Sequence, residues 1–381
     1  MGRRKRVAVA MSGGVDSSVA AALLAEAGFE VVGLTMLLFG PEGERNAPGG
    51  EGPRGGPASI ADARAVSEKL GIPHHVADFR RSFERWIVRD FCETYAGGRT
   101  PNPCVRCNRL IKFGLLWRTA AGLGADYLAT GHYARIERDR RGGFFHLKKG
   151  ADRLKDQSYF LYELGQKELA RTLMPLGDLT KAQVRKRARA LGLPVADKDE
   201  SQEICFIPGQ DYVRLLETRN PQALAPGPMV DEGGRVLGAH GGIARYTIGQ
   251  RRGLGIAAPE PLYVLAIDAG LNRITVGGAD GLLRKRLVAR DARWVSGSPP
   301  ARPLVLRARI RSRHPESAAR IIPLSPTQAL VEFRRPQRAL TPGQAVVFYA
   351  GDEVIGGGTI GSVAEATAIR RTPWRLSRAP R

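Results

Sequence analysis

The chain has 381 residues, 43% of them hydrophobic, which is too long for one ordinary core and apolar enough for a folded soluble protein. No apolar run reaches the length needed to cross a bilayer, and the basic start "MGRRKR" leads directly into a strand, so a cytoplasmic protein with no membrane role is expected. A formal net charge of +22, from 59 basic against 37 acidic residues, favours a phosphate-rich polymer as partner, nucleic acid ahead of an acidic membrane surface.

In chain order, residues 6–10 read as a strand and 17–27 as an alanine-rich helix. A strand over 30–37, a helix over 60–70 and a strand over 73–79 follow, then helices over 81–95 and 110–123 and a turn-bearing strand over 125–136. This alternation predicts an α/β fold, a doubly wound parallel sheet with ligands at the carboxyl ends of its strands, near the loop after Ala10. "GPEGERNAPGGEGPRGGPAS" (40–59) is too poor in apolar residues to bury a core and reads as a mobile loop over the site. Residues 167–193 read as a helical, basic stretch, and "TKAQVRKRARALG" within it presents its charges on one face. After about residue 210 short β-rich runs alternate with Gly and Pro. The expected division is a catalytic domain over 1–212, a small central domain over 213–286, a C-terminal β-barrel over 287–365 and a basic tail over 366–381 available for a further nucleic-acid contact.

Two motifs carry chemistry. In "AVAMSGGVDSSVAAALLAEAG", Gly13 and Gly14 allow backbone angles that turn amides inward, and the following helix aims its positive end at the same place. The loop has neither the Gly-Lys-Ser/Thr ending of a Walker A sequence nor G-x-G-x-x-G spacing. The second motif is "GGRTPNPCVRCNRLIKFG", whose two prolines force an extended approach to a helix capped by Asn108. A thiol just ahead of that helix, between Arg106 and Arg109, is expected to favour its thiolate, and Cys107 is best placed. The C-x-x-C would be half a zinc site, but outside it the chain has only Cys92, in a helical segment that reads as core, and Cys205, in "DESQEICFIPG".

"SGGVDSS" resembles the phosphate loop of the N-type ATP pyrophosphatases, which cleave ATP between its α and β phosphates and transfer AMP to a substrate oxygen. That likeness implies Ser12, Gly13, Gly14, Asp16 and Ser17 as phosphate ligands, with Asp16 a partner for Mg2+. "MSGGVDSS", "GLTM", "RTPNPCVRCNRLIKFG", "ADYLATGHYARI", "KDQSYFLY", "SQEICFIP", "YTIGQRRGLGI" and "LTPGQAVVFY" stand in the order found in tRNA-specific 2-thiouridylases. The resemblance runs from Val7 to about Tyr349.

It implies that Ala10, Met11, Ser12, Gly13, Gly14, Val15, Asp16 and Ser17, with Met36 and Gly131, bind ATP. It makes Cys107 the nucleophile and Cys205 the persulfide carrier. Asn102, Pro103 and Cys104 would lie against the target uracil with His132 nearby; Lys155, Asp156 and Gln157 would touch the anticodon region. Arg311, Ser312 and Gln344 would meet tRNA from the barrel. The implied reaction adenylates the C2 oxygen of uracil, and sulfur from a Cys205 persulfide then attacks the activated carbon. Attack by Cys107 on the persulfide releases sulfur or closes a Cys107–Cys205 disulfide. The implied partners are the tRNA anticodon stem-loop, a persulfide sulfur donor protein and a reductant for that disulfide.

One departure is "NPC" where some relatives have "NPD", which places a third thiol, Cys104, at the site. Cys104, Cys107 and Cys205 then form an alternative ligand set for an iron–sulfur cluster that would carry the sulfur. Two other enzyme readings compete: an ATP pyrophosphatase adenylating a small molecule, such as an amide-forming ligase, and a different RNA thiolase, such as a 4-thiouridine synthase. Of the remaining residues, His74, His75, Trp86, Trp117 and Tyr159 are expected to be structural, and Phe206 to wall the uracil.

Overall fold

A computed structural model describes residues 3–40, 55–140, 142–199, 204–207 and 211–361. The expected loop over 40–59 therefore lies largely outside the described residues, as does the basic tail. Its last residues are described, and they open a helix at Pro57, where a proline at the first helical position sacrifices no hydrogen bond.

Five parallel strands form the first sheet: β1 (Arg6–Ala10), β2 (Glu30–Leu37), β3 (His74–Asp78), β4 (Tyr127–Ala129) and β7 (Thr172–Leu173), in the order β3-β2-β1-β4-β7. Val7, Ala8 and Val9 are fully buried because α1 (Val15–Glu26) and α2 (Pro57–Leu70) cover one face while α6 (Trp117–Gly122) belongs to the cluster on the other. The chain lays β2 and β3 to one side of β1 and β4 to the other, so a crevice opens between the carboxyl ends of β1 and β4.

Two expected elements break up. The strand expected over 125–136 splits after β4, and β5 (Ala134–Arg138) turns away to pair antiparallel with β6 (Phe145–Lys149). The stretch over 167–193 is not one helix: α7 (Gln166–Leu169) gives way to β7, and Pro175 and Gly177 precede α8 (Lys181–Ala190). A Cβ on Gly177 would stand 2.3 Å from the Ala134 carbonyl oxygen, so the chain must cross β5 closely there.

The central unit is a four-stranded sheet, β8 (Gly227–Val230), β9 (Val236–His240), β10 (Tyr263–Asp268) and β11 (Arg273–Gly277), in the order β10-β11-β8-β9. The barrel comprises β12 (Leu283–Trp294), β13 (Leu304–Arg309), β14 (Ser317–Ser325), β15 (Gln328–Arg338), β16 (Ala345–Ala350) and β17 (Glu353–Ile360), and β12 pairs with both β15 and β17 to close it. A boundary at Leu287 would cut β12, whose opening "LRKR" hides a strand beneath long charged side chains.

The β5–β6 hairpin joins β17 through Lys148 and Glu353, which ties the first sheet's domain to the barrel. Beneath that junction Lys149 meets Glu316 at 2.7 Å, and Arg309 meets both Glu316 (2.7 Å) and Asp156 (3.1 Å). Tyr349 lies under both cations, 4.5 Å from the Lys149 ammonium and 4.9 Å from the Arg309 guanidinium.

Candidate active site

Gly13 adopts φ +68°, and a Cβ there would lie 2.5 Å from the Ser59 carbonyl oxygen, so only glycine fits. Gly14 then caps α1 without any side-chain hydrogen bond, which leaves the positive end of the helix facing the crevice. Ser17 Oγ accepts from the Ser12 amide at 3.1 Å and donates to the Gly14 carbonyl at 3.1 Å, holding the loop in a closed curve. Across the crevice Gly131 follows β4, and a Cβ on it would sit 2.7 Å from the Ser17 nitrogen. Asp16 Oδ1 accepts hydrogen bonds from the Tyr133 hydroxyl and the Lys181 ammonium, each at 2.7 Å. Lys198 pairs with Asp62, beside Gly13, at 2.5 Å.

The cysteine motif is already helical. α5 (Pro103–Cys107) begins at Asn102 and runs without interruption through the widened turns of Asn108–Leu116 into α6. Asn108 therefore does not cap a helix: it is buried within one, and its Nδ2 donates to the Phe160 carbonyl at 3.0 Å. Proline at the first helical position moves the start of the helix ahead of both thiols.

The expected arginine activation also fails. Arg106 reaches Asp90 at 3.1 Å and Arg109 reaches Glu163 at 3.8 Å, so both cations have carboxylate partners of their own. Lys112 is the cation that favours the thiolates, and burial outweighs it, pushing the Cys107 thiol up to about 11. Cys104 is also pushed upward by the protein packed around it, although its own surface within the cavity is open to water.

His132 is held neutral, well below its usual range, by burial and then by Lys112. Lys112 can only donate to His132 Nε2 (3.5 Å), so Nδ1 carries the proton and donates to Thr130 Oγ1 at 2.7 Å. His74, with β3, binds Thr35 at 2.8 Å in a structural role, and Cys92 is buried core.

These parts meet in one cavity of about 270 Å³. Its lining includes Ala10, Met11, Ser12, Asp16 and Ser17 from the glycine loop, Met36 from β2, and Gly131, His132 and Gln157 from the far wall. Pro103, Cys104, Cys107, Lys112, Cys205 and Phe206 also line it, whereas Asn102 does not. Cys205 packs on the apolar cluster that contains Cys107, and Phe206 meets Phe83 and Phe91 edge to face at 5.6 and 5.2 Å. All four cysteines are thiols. Among the described residues no three His, Cys, Asp or Glu side chains converge as a metal site, so Cys104, Cys107 and Cys205 as they stand do not fit the corner of an iron–sulfur cluster.

Several residues expected at the tRNA surface have internal partners. Asp156 binds Arg309 and the Ser158 amide (3.1 Å each), Arg311 donates to Thr341 Oγ1 (3.0 Å), and Gln344 Nε2 donates to the Thr100 and Pro101 carbonyls at 3.2 and 2.9 Å. Thr100 also takes a backbone bond to Pro342 (2.9 Å) and a hydroxyl bond to Thr247 (3.2 Å). The segment leading to Asn102 is thus clamped between the central sheet and the barrel. Lys155 and Ser312 are half-buried. Lys112 and Tyr133 lay within the quoted motifs and Lys181 within the basic stretch noted above, but none was singled out there, and Lys198 had no distinguishing sequence signal.

Family models match the whole series of domains: a tRNA methyl transferase HUP domain over residues 5–209, a tRNA methyl transferase PRC-barrel domain over 214–278 and an aminomethyltransferase β-barrel domain over 284–360. The chain is 51% identical to the tRNA-specific 2-thiouridylase MnmA of Geotalea uraniireducens, over 94% of this chain and 95% of that one. It is 52% identical to the proteins of the same name from Geobacter metallireducens (94% and 97% covered) and Moorella thermoacetica (94% and 99% covered). With that identity sustained across all three domains, the chain belongs to the tRNA-specific 2-thiouridylase family.

Proposed function

We propose that this protein is an ATP-dependent tRNA-uridine 2-sulfurtransferase acting on the wobble position. The observation that carries the reading is the single cavity lined by the glycine loop, Cys107 and Cys205. ATP lies with its phosphates on Ser12–Ser17 and the uncapped end of α1, and with Met36 and Gly131 beside the nucleotide. Asp16 supplies one carboxylate, which suits an Mg2+ ion held mainly by the substrate's phosphates, and Lys181 positions that carboxylate.

The C2 oxygen of uracil is a poor leaving group until AMP is attached to it. The target base leaves its stack to enter the cavity, where Pro103, Cys104 and neutral His132 face it and Phe206 walls it, with Asn102 at the head of the Cys104 helix. The O2–P bond forms as pyrophosphate leaves. The terminal sulfur of a Cys205 persulfide, loaded by a separate persulfide-bearing donor protein, then attacks C2, and the C2–O bond breaks with AMP departing. Attack by Cys107 on the Cys205 sulfur frees the thiocarbonyl and closes the Cys107–Cys205 disulfide, which a dithiol reductant reopens.

The basic surface binds the anticodon stem-loop. Lys155, Gln157 and Ser312 meet the RNA, while Asp156, Arg311 and Gln344 hold the turn and clamp that present it. Incubation with ATP, a persulfide source and unmodified tRNA tests the reading: AMP, pyrophosphate and 2-thiouridine are expected in equal amounts. ADP as the nucleotide product would sink the adenylation step.

A further inference from the structure

Cys104 is the one cavity thiol to which that sequence of steps gives no sulfur chemistry, and its placement suits one. It is exposed, whereas Cys107 is buried and Cys205 half-buried. Cys104 and Cys107 stand three residues apart at the start of one helix. Helix geometry sets their Cα atoms about 5 Å apart, within the roughly 4.4–6.8 Å that a disulfide spans. Cys104 lies in the first turn, where the amides have no intrahelical acceptor and only the carbonyls are held, the Cys104 carbonyl by the Asn108 amide, so that turn is the least constrained part of the helix. Cys107 thus shares a helical turn with Cys104 and an apolar cluster and cavity wall with Cys205. A chain of pairs needs only these two contacts, whereas a metal cluster needs all three sulfurs at one point.

We propose that Cys104 is the resolving thiol of this enzyme, moving the disulfide off half-buried Cys205 and onto the exposed Cys104. The inference rests on the sulfur route given under the proposed function. The Cys104 thiolate attacks the Cys107 sulfur of the Cys107–Cys205 disulfide. A Cys104–Cys107 S–S bond forms, the Cys107–Cys205 bond breaks, and Cys205 leaves as a thiolate that takes up the proton Cys104 gave. There is no net oxidation, so no additional oxidant is required. Cys205 is then ready for another persulfide, while the remaining disulfide includes the exposed Cys104, within reach of a dithiol reductant.

The test is a time-resolved disulfide map of the full-length protein. The enzyme, with Cys205 preloaded as persulfide, is mixed with ATP and unmodified tRNA in the absence of reductant. It is then acid-quenched, alkylated and mapped by mass spectrometry. A Cys107–Cys205 link that converts to Cys104–Cys107, with an equal return of alkylatable Cys205, is the expected result. A link that stays at Cys107–Cys205 to completion overturns the proposal and leaves the proposed function standing. Thiolated tRNA formed with no disulfide at all would instead remove the sulfur route itself, and this inference with it. In Cys104→Ser the Cys107–Cys205 link should persist, with the return of the Cys205 thiol slowed at least about tenfold. Return at the wild-type rate contradicts the proposal.

Discussion

Gly131→Ala tests whether the crevice between β1 and β4 is a nucleotide site held to tight tolerance. The added Cβ would lie 2.7 Å from the Ser17 nitrogen and 2.8 Å from the Asp16 carbonyl carbon, both backbone atoms that no rotamer change can move. Restoring ordinary contact requires the glycine loop and the end of β4 to part by about 0.7 Å, an overpacking strain of roughly 1–3 kcal/mol. Displacement of a substrate-positioning element by nearly 1 Å can cost about a hundredfold in rate. We therefore expect kcat/KM for ATP, measured by pyrophosphate release at saturating tRNA, to fall by about tenfold to a hundredfold. Gly122→Ala, at the end of α6 with no atom within 4 Å of the new Cβ, serves as control and should leave the rate unchanged. Wild-type kcat/KM in Gly131→Ala would refute the placement of ATP phosphates on this loop.

Three further outcomes follow from the same structure. Because burial pushes the Cys107 thiol up to about 11, its alkylation, followed by mass spectrometry, should quicken about tenfold per pH unit from 7 to 10; a plateau below pH 9 would contradict the assigned burial effect. The folded state holds that proton more tightly than the unfolded chain, so this group's contribution to stability is intact below pH 9 and declines between 9 and about 11. Arg309→Met should destabilise the protein in urea titration by about 3–5 kcal/mol, since it takes this cation from the buried Asp156 carboxylate and leaves Glu316 to Lys149, and a loss under about 1 kcal/mol would mean the network is not buried in solution. Affinity for tRNA should fall about a thousandfold or more between 50 and 200 mM salt, and a flat response would argue against phosphate contacts.

The first sheet was legible because its strands are short apolar runs between glycine turns, and β1 and β2 fall on the residues the pattern marked. The barrel and the small central sheet were legible as a change of texture, from helix-length periods to short β runs. What sequence could not give was set by long-range packing. The β5–β6 hairpin leaves the parallel sheet because β17 offers it an edge more than two hundred residues away. Asn108 looked like a cap because Asn commonly is one, yet the proline at position 103 had already started the helix. Arg106 and Arg109 looked like activators because they flank the thiols in sequence; on the helix they point to Asp90 and Glu163, and Lys112 takes their place. Lys181 and Lys198 approach the glycine loop from the far end of the domain, and the basic stretch around Lys181 does not distinguish it from the cations beside it.

The most direct test of the account follows one oxygen atom. If uracil O2 is adenylated and sulfur then displaces it at C2, tRNA carrying 18O at O2 of the wobble uridine must deliver that oxygen to the phosphate of AMP. Single-turnover reaction with labelled anticodon stem-loop, ATP and persulfide-loaded enzyme should yield AMP heavier by one 18O for each 2-thiouridine formed. Unlabelled AMP accompanying thiolated product would contradict the adenylation of O2, and with it the role assigned to the cavity.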